Sequence, residues 1–321
     1  MTRHTGEAEL AVSVVLPIYN EAGNLPLFIP ELSDSLRSLG TPYEIIAIDD
    51  GSVDDSLTVL RQLKASEPNL RIVQFRRNFG QTAAFAAGFD LARGLCVITM
   101  DADGQNDPAD IAPMLQVMTE GDYDIVSGWR QERQEPLLSR RLPSMLANGI
   151  IGKSTGIELH DYGCSLKIYH RDVAKNVNLY GELHRFIPAL ASELGVRVAE
   201  VPVNDRPRRY GRSNYNLLKT IRVVLDLLTV SFLLSYMTRP MQLFGLAGLV
   251  SGGTGFALGI YLAVYKLVTG ADIGQRPLLS LAILLMILGV QFLVMGLLGE
   301  LQARAYFEVQ DKPIYVIRRE E

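Results

Sequence analysis

Residues 95–108 read LCVITMDADGQNDP, an apolar run that ends in a cluster of carboxylates. A short run rich in Val, Ile and Thr predicts a β-strand over Leu95–Met100, and Pro108 marks the start of a helix predicted over 108–119. Asp101 and Asp103 therefore lie directly beyond the carboxyl end of that strand. The order of buried strand, acidic turn and helix indicates an α/β unit.

The same order recurs along residues 11–127. Further strands are predicted at Val12–Pro17, Glu44–Asp49, Leu70–Phe75 and Asp124–Ser127, and further helices near 24–39, 55–66 and 81–92. This alternation predicts an α/β domain with a mostly parallel, Rossmann-like sheet. Ligands of such sheets bind at the carboxyl ends of the strands. The polar groups expected there are Tyr19-Asn20-Glu21, Asp49-Asp50-Gly51-Ser52 and Asp101-Ala102-Asp103.

The turn at 101–107 has the composition of a metal site. Mg²⁺ typically takes one or two carboxylates together with substrate phosphates, which Asp101 and Asp103 can supply, and Gln105 can add an oxygen. The alternative is an acidic turn that caps the next helix, with Asp107 as the cap.

The turn at 49–55 has the composition of a nucleotide site. Asp49 and Asp50 can accept hydrogen bonds from a nucleobase or ribose. Helix capping explains Asp54 but leaves these two carboxylates unexplained. No Gly-rich phosphate fingerprint follows the first strand, so a dinucleotide-binding domain is disfavoured.

The chain after residue 240 is apolar. Met241–Tyr265 and Pro277–Gly299 contain no charged residue, and each is long enough to cross about 30 Å of hydrocarbon. They predict a hairpin of two transmembrane helices within 241–300, where Gly248, Gly252 and Gly255 or Gly259 allow close helix packing.

The flanking segments predict the topology. Residues 216–240 are apolar apart from charges at helical spacing, which indicates an amphipathic helix in the membrane interface; a third span is the alternative. Lys and Arg flank the hairpin and predict cytoplasmic ends, namely the domain 1–215 and the tail 301–321. The start of the chain lacks a secretory signal pattern, which agrees with a cytoplasmic front domain. The predicted location of the whole protein is the plasma membrane.

Composition excludes two further classes of protein. The net charge of −4 argues against a nucleic-acid binder, because such a protein needs a basic surface. The two cysteines, Cys96 and Cys164, are too few for a disulfide framework and indicate thiols in a reducing compartment.

Several segments resemble glycosyltransferase family 2 in order and spacing. They are VVLPIYNEAGNL (14–25), IAIDDGSVDDS (46–56), RRNFGQTAAFAAGFDLARG (76–94) and MDADGQNDPADI (100–111). GELHRFIPAL (181–190), residues 201–228 and the two spanning helices are similar to the polyprenyl-phosphate glycosyltransferases, relatives of dolichyl-phosphate mannose synthase with a two-helix anchor. The resemblance implies a GT-A fold and inverting, metal-dependent transfer of a hexose, such as glucose or mannose, from a UDP- or GDP-sugar to undecaprenyl or dolichyl phosphate.

The resemblance also implies roles for residues at matching positions. Substrate binding is expected of Pro17, Tyr19, Glu21, Asp49, Asp50, Asp101, Ala102, Arg141, His184, Arg185 and Ser213. Mg²⁺ or Mn²⁺ is expected on Asp101, Asp103 and Gln105. Catalytic roles are expected of Asp103, Arg130, Asp161 and Arg206, with the two arginines meeting phosphate charge. Capping or salt bridging is the alternative for Asp161, His184 and Arg185, and a basic juxtamembrane patch is the alternative for Arg206.

One position departs from the pattern, and some alternatives remain open. Asn214 follows Ser213 where the resemblance implies a lysine. The alternatives are a glycosyltransferase with another acceptor and a non-catalytic scaffold for a lipid-sugar flippase, although a scaffold has no need of metal ligands. The sequence leaves a homo-oligomer and a flippase partner open.

Overall fold

The computed structural model describes residues 10–131, 157, 159–177, 179, 183–207, 240–274 and 276–309. The chain divides into two compact units, Met1–Ser231 and Phe232–Glu321. Several predicted features lie outside the described residues: the interface helix before Pro240, the tail beyond Val309, Arg141, Ser213 and Asn214.

Within the described part of the first unit, one seven-stranded sheet has the order β3-β2-β1-β4-β6-β5-β7. The strands are β1 Val12–Ile18, β2 Tyr43–Asp49, β3 Leu70–Gln74, β4 Cys96–Thr99, β5 Ile125–Arg130, β6 Lys167–His170 and β7 Val198–Val203. β6 runs antiparallel to β4 and β5, and every other pairing is parallel. The predicted mostly parallel sheet is confirmed. β6 and β7, which were not predicted, extend it beyond β4 together with β5.

Helices cover both faces of the sheet. They are α1 Leu25–Ser38, α2 Ser56–Ser66, α3 Gln81–Leu91, α4 Ile111–Gly121, α5 Arg171–Asn176 and α6 Ile187–Ala191. The helix predicted over 108–119 is a 3-10 turn, Pro108–Asp110, followed by α4. Asp107 caps this turn, since its Oδ1 accepts from the Ala109 N–H at 2.9 Å. α2 begins one residue later than predicted, yet Asp54 still accepts from the Ser56 N–H at 3.0 Å.

The core has a layer on each face of the sheet. α1 and α4 pack on one face through residues such as Ile29 and Met114, and α3 packs on the other through Phe85 and Phe89. Burying each large apolar side chain contributes about 1.5–3 kcal/mol, so this double layer fixes the central strands. Their carboxyl ends are thereby held at one edge.

The second unit is a pair of apolar helices, α7 Pro240–Thr269 and α8 Pro277–Val309. Both are long and apolar enough to cross a membrane: the mean hydropathy of an 18-residue stretch is 1.6 in Pro240–Thr269 and 2.7 in Pro277–Gln302. The helices touch through glycines. A Cβ added at Gly255 would lie 2.7 Å from the Ala282 carbonyl oxygen, and one at Gly248 would lie 2.8 Å from that of Gly289. A Cβ at Gly259 would meet none of the described atoms within 4 Å, so Gly255 supplies the predicted close packing.

Candidate active site

An open cleft of about 270 Å³ lies at the carboxyl edge of the sheet in the first unit. Its lining is formed by Pro17, Ile18, Tyr19, Glu21, Asp50, Asn78, Gly80, Gln81, Asp101, Ala102 and Asp103. Three strand ends, those of β1, β2 and β4, supply the lining residues that the sequence predicted. Asn78, Gly80 and Gln81 were not assigned roles from the sequence. They follow β3, and the rule that ligands bind beyond parallel strands would have found them.

The turn after β2 holds the segment after β3. Asp50 accepts from the Phe79 N–H at 2.7 Å and from the Gly80 N–H at 2.9 Å, one through each carboxylate oxygen. Gly51 has a φ of +69° and lies against the backbone of Arg77. The Asp50 carboxylate therefore stabilises one wall of the cleft.

Asp49 is fully buried beside this turn. Its Oδ1 accepts from the Ser52 N–H at 3.1 Å, whereas its Oδ2 is buried without a hydrogen-bond partner among the described residues. An unsatisfied buried carboxylate oxygen is costly, so this atom is an acceptor available to a ligand donor.

The turn after β1 is joined to the turn after β2. Asn20 has a φ of 58°, donates its N–H to Ser52 Oγ at 3.0 Å, and accepts from the Val53 N–H at 2.9 Å. Tyr19 is 46% exposed at the cleft. The aromatic ring is thus available to a ligand, while its neighbour keeps the two turns in register.

Asp101 and Asp103 form a carboxylate pair in the cleft. Gln81 Nε2 donates to Asp101 Oδ1 at 2.6 Å, and the Gln105 N–H donates to Asp103 Oδ1 at 3.0 Å. Burial and the adjacent Asp103 charge raise the pKa of Asp101 above its ordinary value, while Ser165, Arg130 and Lys167 act in the opposite direction.

These carboxylates fit a divalent cation, because a dication would relieve the repulsion within the pair. In the described ranges no three His, Cys, Asp or Glu side chains are grouped to hold a metal ion. A site with two carboxylates and substrate phosphates is the arrangement typical of Mg²⁺. Gln105 contributes backbone contacts, donating to Asp103 and accepting from the Arg206 N–H at 2.9 Å.

Asn106 connects the acidic turn to the loop before β6 by hydrogen bonds. Its buried Oδ1 accepts from the Asp101 N–H at 3.3 Å and from Ser165 Oγ at 2.7 Å. Thr99 Oγ1 in turn donates to the Ser165 carbonyl at 2.7 Å. The loop before β6 is thereby bonded to the acidic turn.

Arg130 is paired with Asp161. Arg130 Nε and Nη2 donate to the two Asp161 oxygens at 2.8 and 3.2 Å, and both side chains are largely buried. Burial opposes the charged guanidinium, but hydrogen bonding to Asp161 outweighs it and raises the pKa of Arg130. Two residues predicted separately as catalytic are therefore one bidentate ion pair.

His184 lies beside the cleft, whereas its neighbour Arg185 is exposed. His184 Nδ1 lies 2.8 Å from Thr82 Oγ1, next to Gln81 of the cleft. Burial, together with the positive charge of Arg185, lowers the pKa of His184 to about 3, so its imidazole is neutral near pH 7.

Arg206 forms two ion pairs, one with Glu31 and one with Asp107. Its Nη1 is 2.6 Å from Glu31 Oε1, and its Nη2 is 2.6 Å from Asp107 Oδ1. Arg206 is not among the residues that line the cleft. Its predicted contact with phosphate stays a prediction, and its carboxylate partners indicate a second role.

The model of the family described as glycosyl transferase family 2 matches residues 13–177. Two similar curated proteins cover almost the whole chain. A dodecaprenyl-phosphate galacturonate synthase of Rhizobium johnstonii is 42% identical over 97% of this chain and 93% of its own. An undecaprenyl-phosphate 4-deoxy-4-formamido-L-arabinose transferase of Yersinia enterocolitica is 39% identical over 96% of this chain and 93% of its own.

Solved structures share the fold over about 70% of the chain. A crystal structure described as a mycobacterial protein has a TM-score of 0.53 at 20% identity, over 70% of this chain and 75% of that one. Glucosyl-3-phosphoglycerate synthase from Mycobacterium tuberculosis, in complex with Mn²⁺ and UDP-glucose, has a TM-score of 0.51 at 18% identity, over 69% and 79%. The expected GT-A-like fold is confirmed.

Proposed function

Since the chain belongs to glycosyl transferase family 2, we propose that it transfers a sugar from a nucleotide diphosphate-sugar to a polyprenyl phosphate. The observation that carries this proposal is the agreement of two relatives, 42% and 39% identical over nearly the whole chain, whose names both state a polyprenyl phosphate. The cleft and the two apolar helices support it, because transfer to a lipid needs both a polar donor site and a membrane.

The donor nucleotide is proposed to bind where the turns after β1 and β2 meet. Asp49 Oδ2, buried and without a partner in the part of the chain that the structure describes, would accept a hydrogen bond from a nucleobase N–H or a ribose hydroxyl. Tyr19, Pro17 and Glu21 line the same cleft and would contact the nucleotide. Asp50 would act by holding the Phe79–Gly80 backbone in place.

Asp101 and Asp103 are proposed to hold Mg²⁺ or Mn²⁺ together with the diphosphate of the donor. The bound cation would supply stabilisation of the negative charge on the leaving diphosphate. Gln81 orients Asp101 through its side-chain amide, and Asn106 holds the Asp101 backbone, so the carboxylates are fixed before a ligand arrives.

The acceptor supplies its own nucleophile. A phosphomonoester carries about −1.5 to −2 charges near pH 7, so no protein base has to remove a proton from it. One phosphate oxygen bonds to the anomeric carbon as the bond to the diphosphate breaks, and the anomeric configuration inverts. The protein must bring two anions together, and Arg130, fixed by Asp161, is proposed to supply positive charge beside the carboxylate pair.

The transferred sugar is proposed to be a hexose or a related modified sugar. The names of the two relatives contain galacturonate and 4-deoxy-4-formamido-L-arabinose, so acidic and 4-substituted sugars belong beside glucose and mannose. His184 is neutral near pH 7 and would contact the sugar or acceptor through hydrogen bonds.

The second unit is proposed to anchor the enzyme as a multi-pass protein of the plasma membrane. α7 and α8 would span the bilayer as a hairpin, with the catalytic unit and the tail on the cytoplasmic side. This topology would keep the cleft on the side where nucleotide-sugars are made. A homo-oligomer and a flippase partner stay predictions.

The test is a donor panel with the purified full chain in detergent micelles. UDP- and GDP-linked glucose, mannose, galacturonic acid and 4-formamido-arabinose are each incubated with Mn²⁺ or Mg²⁺ and a short polyprenyl phosphate, and products are identified by mass. One donor should give a lipid monophosphate-sugar that the Asp103→Asn variant does not form. Absence of lipid-linked product from every donor would reject the proposal, and sugar transfer to a different acceptor would favour the alternative glycosyltransferase.

A further inference from the structure

Three residues after β7 lie against the segment that follows the acidic turn. We call residues 204–206 the 204–206 strap. Asn204 donates its N–H to Asp110 Oδ2 at 2.8 Å and its side-chain amide to Asp110 Oδ1 at 2.9 Å. Asp205 forms an antiparallel bridge with Asn106. The strap is therefore bonded to segment 105–110 at both of its first two residues.

Arg206 extends this contact with its backbone and its side chain. Its N–H donates to the Gln105 carbonyl at 2.9 Å, and its guanidinium joins Asp107 to Glu31 of α1 at 2.6 Å each. Glu31 and Asp107 are far apart in sequence, so Arg206 connects the acidic-turn segment to the first helix.

The contact leads directly to a proposed metal ligand. The Gln105 N–H donates to Asp103 Oδ1, while the Gln105 carbonyl accepts from Arg206. The same residue is thus held from both sides, with the carboxylate of Asp103 on one side and the strap on the other. Asn106 continues the connection, since it bonds to the Asp101 N–H and bridges to Asp205.

Two simpler explanations compete. Exposed ion pairs often contribute nothing measurable, and a basic patch near a membrane needs no fixed geometry. Against the first, the Asp107 side chain is only 14% exposed and that of Arg206 29%, and backbone bonds flank this pair; Glu31, at 37%, is the more exposed partner. Against the second, both ends of the guanidinium are already bonded to carboxylates in defined directions.

We propose that Arg206 is a positioning residue for the Asp101/Asp103 site, which acts through Gln105, Asp107 and Glu31 rather than by contacting the acceptor phosphate. This inference rests on the proposed function, because the cation-binding role of Asp103 is part of it. A lysine has one ammonium and cannot reproduce the fork that joins two carboxylates. Arg206→Lys should therefore retain part of the support that Arg206 gives to the Asp101/Asp103 site, and Arg206→Met none.

The experiment measures Mn²⁺ binding to the full chain in micelles, without lipid and without donor, by electron paramagnetic resonance of the free ion. Arg206→Met should weaken Mn²⁺ binding roughly tenfold, the lower end of what loss of a group supporting a metal ligand costs, with Arg206→Lys between it and the wild type. In turnover assays, the KM for Mn²⁺ should rise and the KM for polyprenyl phosphate should not. Asp107→Asn should shift Mn²⁺ binding in the same direction, and the double variant should show less than the product of the two effects.

Arg37→Met is the matched control. Arg37 also joins two carboxylates, Asp34 and Glu67, but it lies in the last turn of α1, six positions beyond Glu31. This variant should bind Mn²⁺ like the wild type. Fluorescence of Trp129, the single tryptophan, should report an intact first unit in each variant, and if Arg206→Met does not fold, Arg206→Lys and Asp107→Asn decide.

The possible results distinguish failure of the positioning role of Arg206 from failure of the proposed function. Unchanged Mn²⁺ binding in the Arg206 variants, with or without a raised KM for the lipid, would overturn the positioning role. If the wild type itself binds no Mn²⁺, the proposed metal site fails. The strap is then tested by amide hydrogen exchange over 101–107, which must be faster in Arg206→Met than in Arg37→Met; equal exchange would overturn it.

Discussion

Replacing Gly51 by alanine tests how closely the turn after β2 packs against the segment after β3. Gly51 has a φ of +69°, and a Cβ there would lie 2.5 Å from the Arg77 carbonyl carbon and 2.7 Å from the Asn78 nitrogen. These are backbone atoms, so no side-chain rotation relieves the clash. The segment must move, and with it the Phe79 and Gly80 N–H groups that donate to Asp50.

The magnitude follows from two contributions. A left-handed conformation costs a residue with a Cβ about 1–2 kcal/mol. A hydrogen bond to a charged group contributes about 1.5–3 kcal/mol, and the displacement should remove the equivalent of one of the two at Asp50. Gly51→Ala should therefore lower the free energy of unfolding by about 2.5–5 kcal/mol, a large part of the stability of an ordinary domain.

Gly40→Ala is the matched control. Gly40 has a φ of +67°, but a Cβ there would have no atom of the described residues within 4 Å. It should cost only the conformational contribution of about 1–2 kcal/mol. The difference between the two variants isolates the packing of Gly51 against residues 77–78.

The assay is urea unfolding of the full chain in micelles, followed by the fluorescence of Trp129. This single tryptophan lies in β5 and so reports on the first unit. Donor binding to Gly51→Ala should also weaken, because the moved segment lines the cleft. Equal destabilisation by Gly51→Ala and Gly40→Ala would refute the close-packing argument.

Other changes address the metal, the topology and the buried imidazole. Asp103→Asn should remove most turnover without altering the Trp129 unfolding midpoint; a folded variant with normal activity, or full wild-type activity in excess chelator, would contradict the metal role. A cysteine placed at Ala271 should react with an impermeant reagent outside intact cells and one placed at Lys312 should not, and labelling of the latter would reject the hairpin. The pKa of His184 is about 3 in the folded chain and about 6.5 in the unfolded chain, so between these values the unfolded chain binds a proton that the folded chain does not. The free energy of unfolding should therefore fall as the pH is lowered from about 6.5 toward 3. His184→Gln should flatten that pH dependence, measured as urea midpoints, and parallel profiles for the two proteins would count against it.

The fold of residues 11–127 could be predicted from the sequence because the patterns that determine its strands and helices are local. Apolar runs at strand length, helical periodicity and turn residues placed the strands and helices there, with ends that differ from the structure by a few residues. β6 was not predicted. It is a short strand inserted antiparallel between β4 and β5, and only its pairing partners, far away in sequence, define it.

The place of the cleft could be predicted for a similar reason. Parallel strands end at one edge of a sheet, so polar residues directly after β1, β2 and β4 had to converge, and Asp50, Asp101 and Asp103 do line one cleft. The two apolar helices were readable from length and composition alone.

The tertiary structure alone showed which partner each of these charged side chains has. Asp50 lines the cleft and also accepts from the Phe79 and Gly80 N–H groups, so its predicted contact with the nucleotide stays a prediction, and Arg130 is paired with Asp161. Arg206 bonds Glu31, 175 positions away in the sequence. Residue type and spacing give the charge that a position carries, but the partner of that charge depends on long-range packing, which brings side chains together without any local signal in the chain.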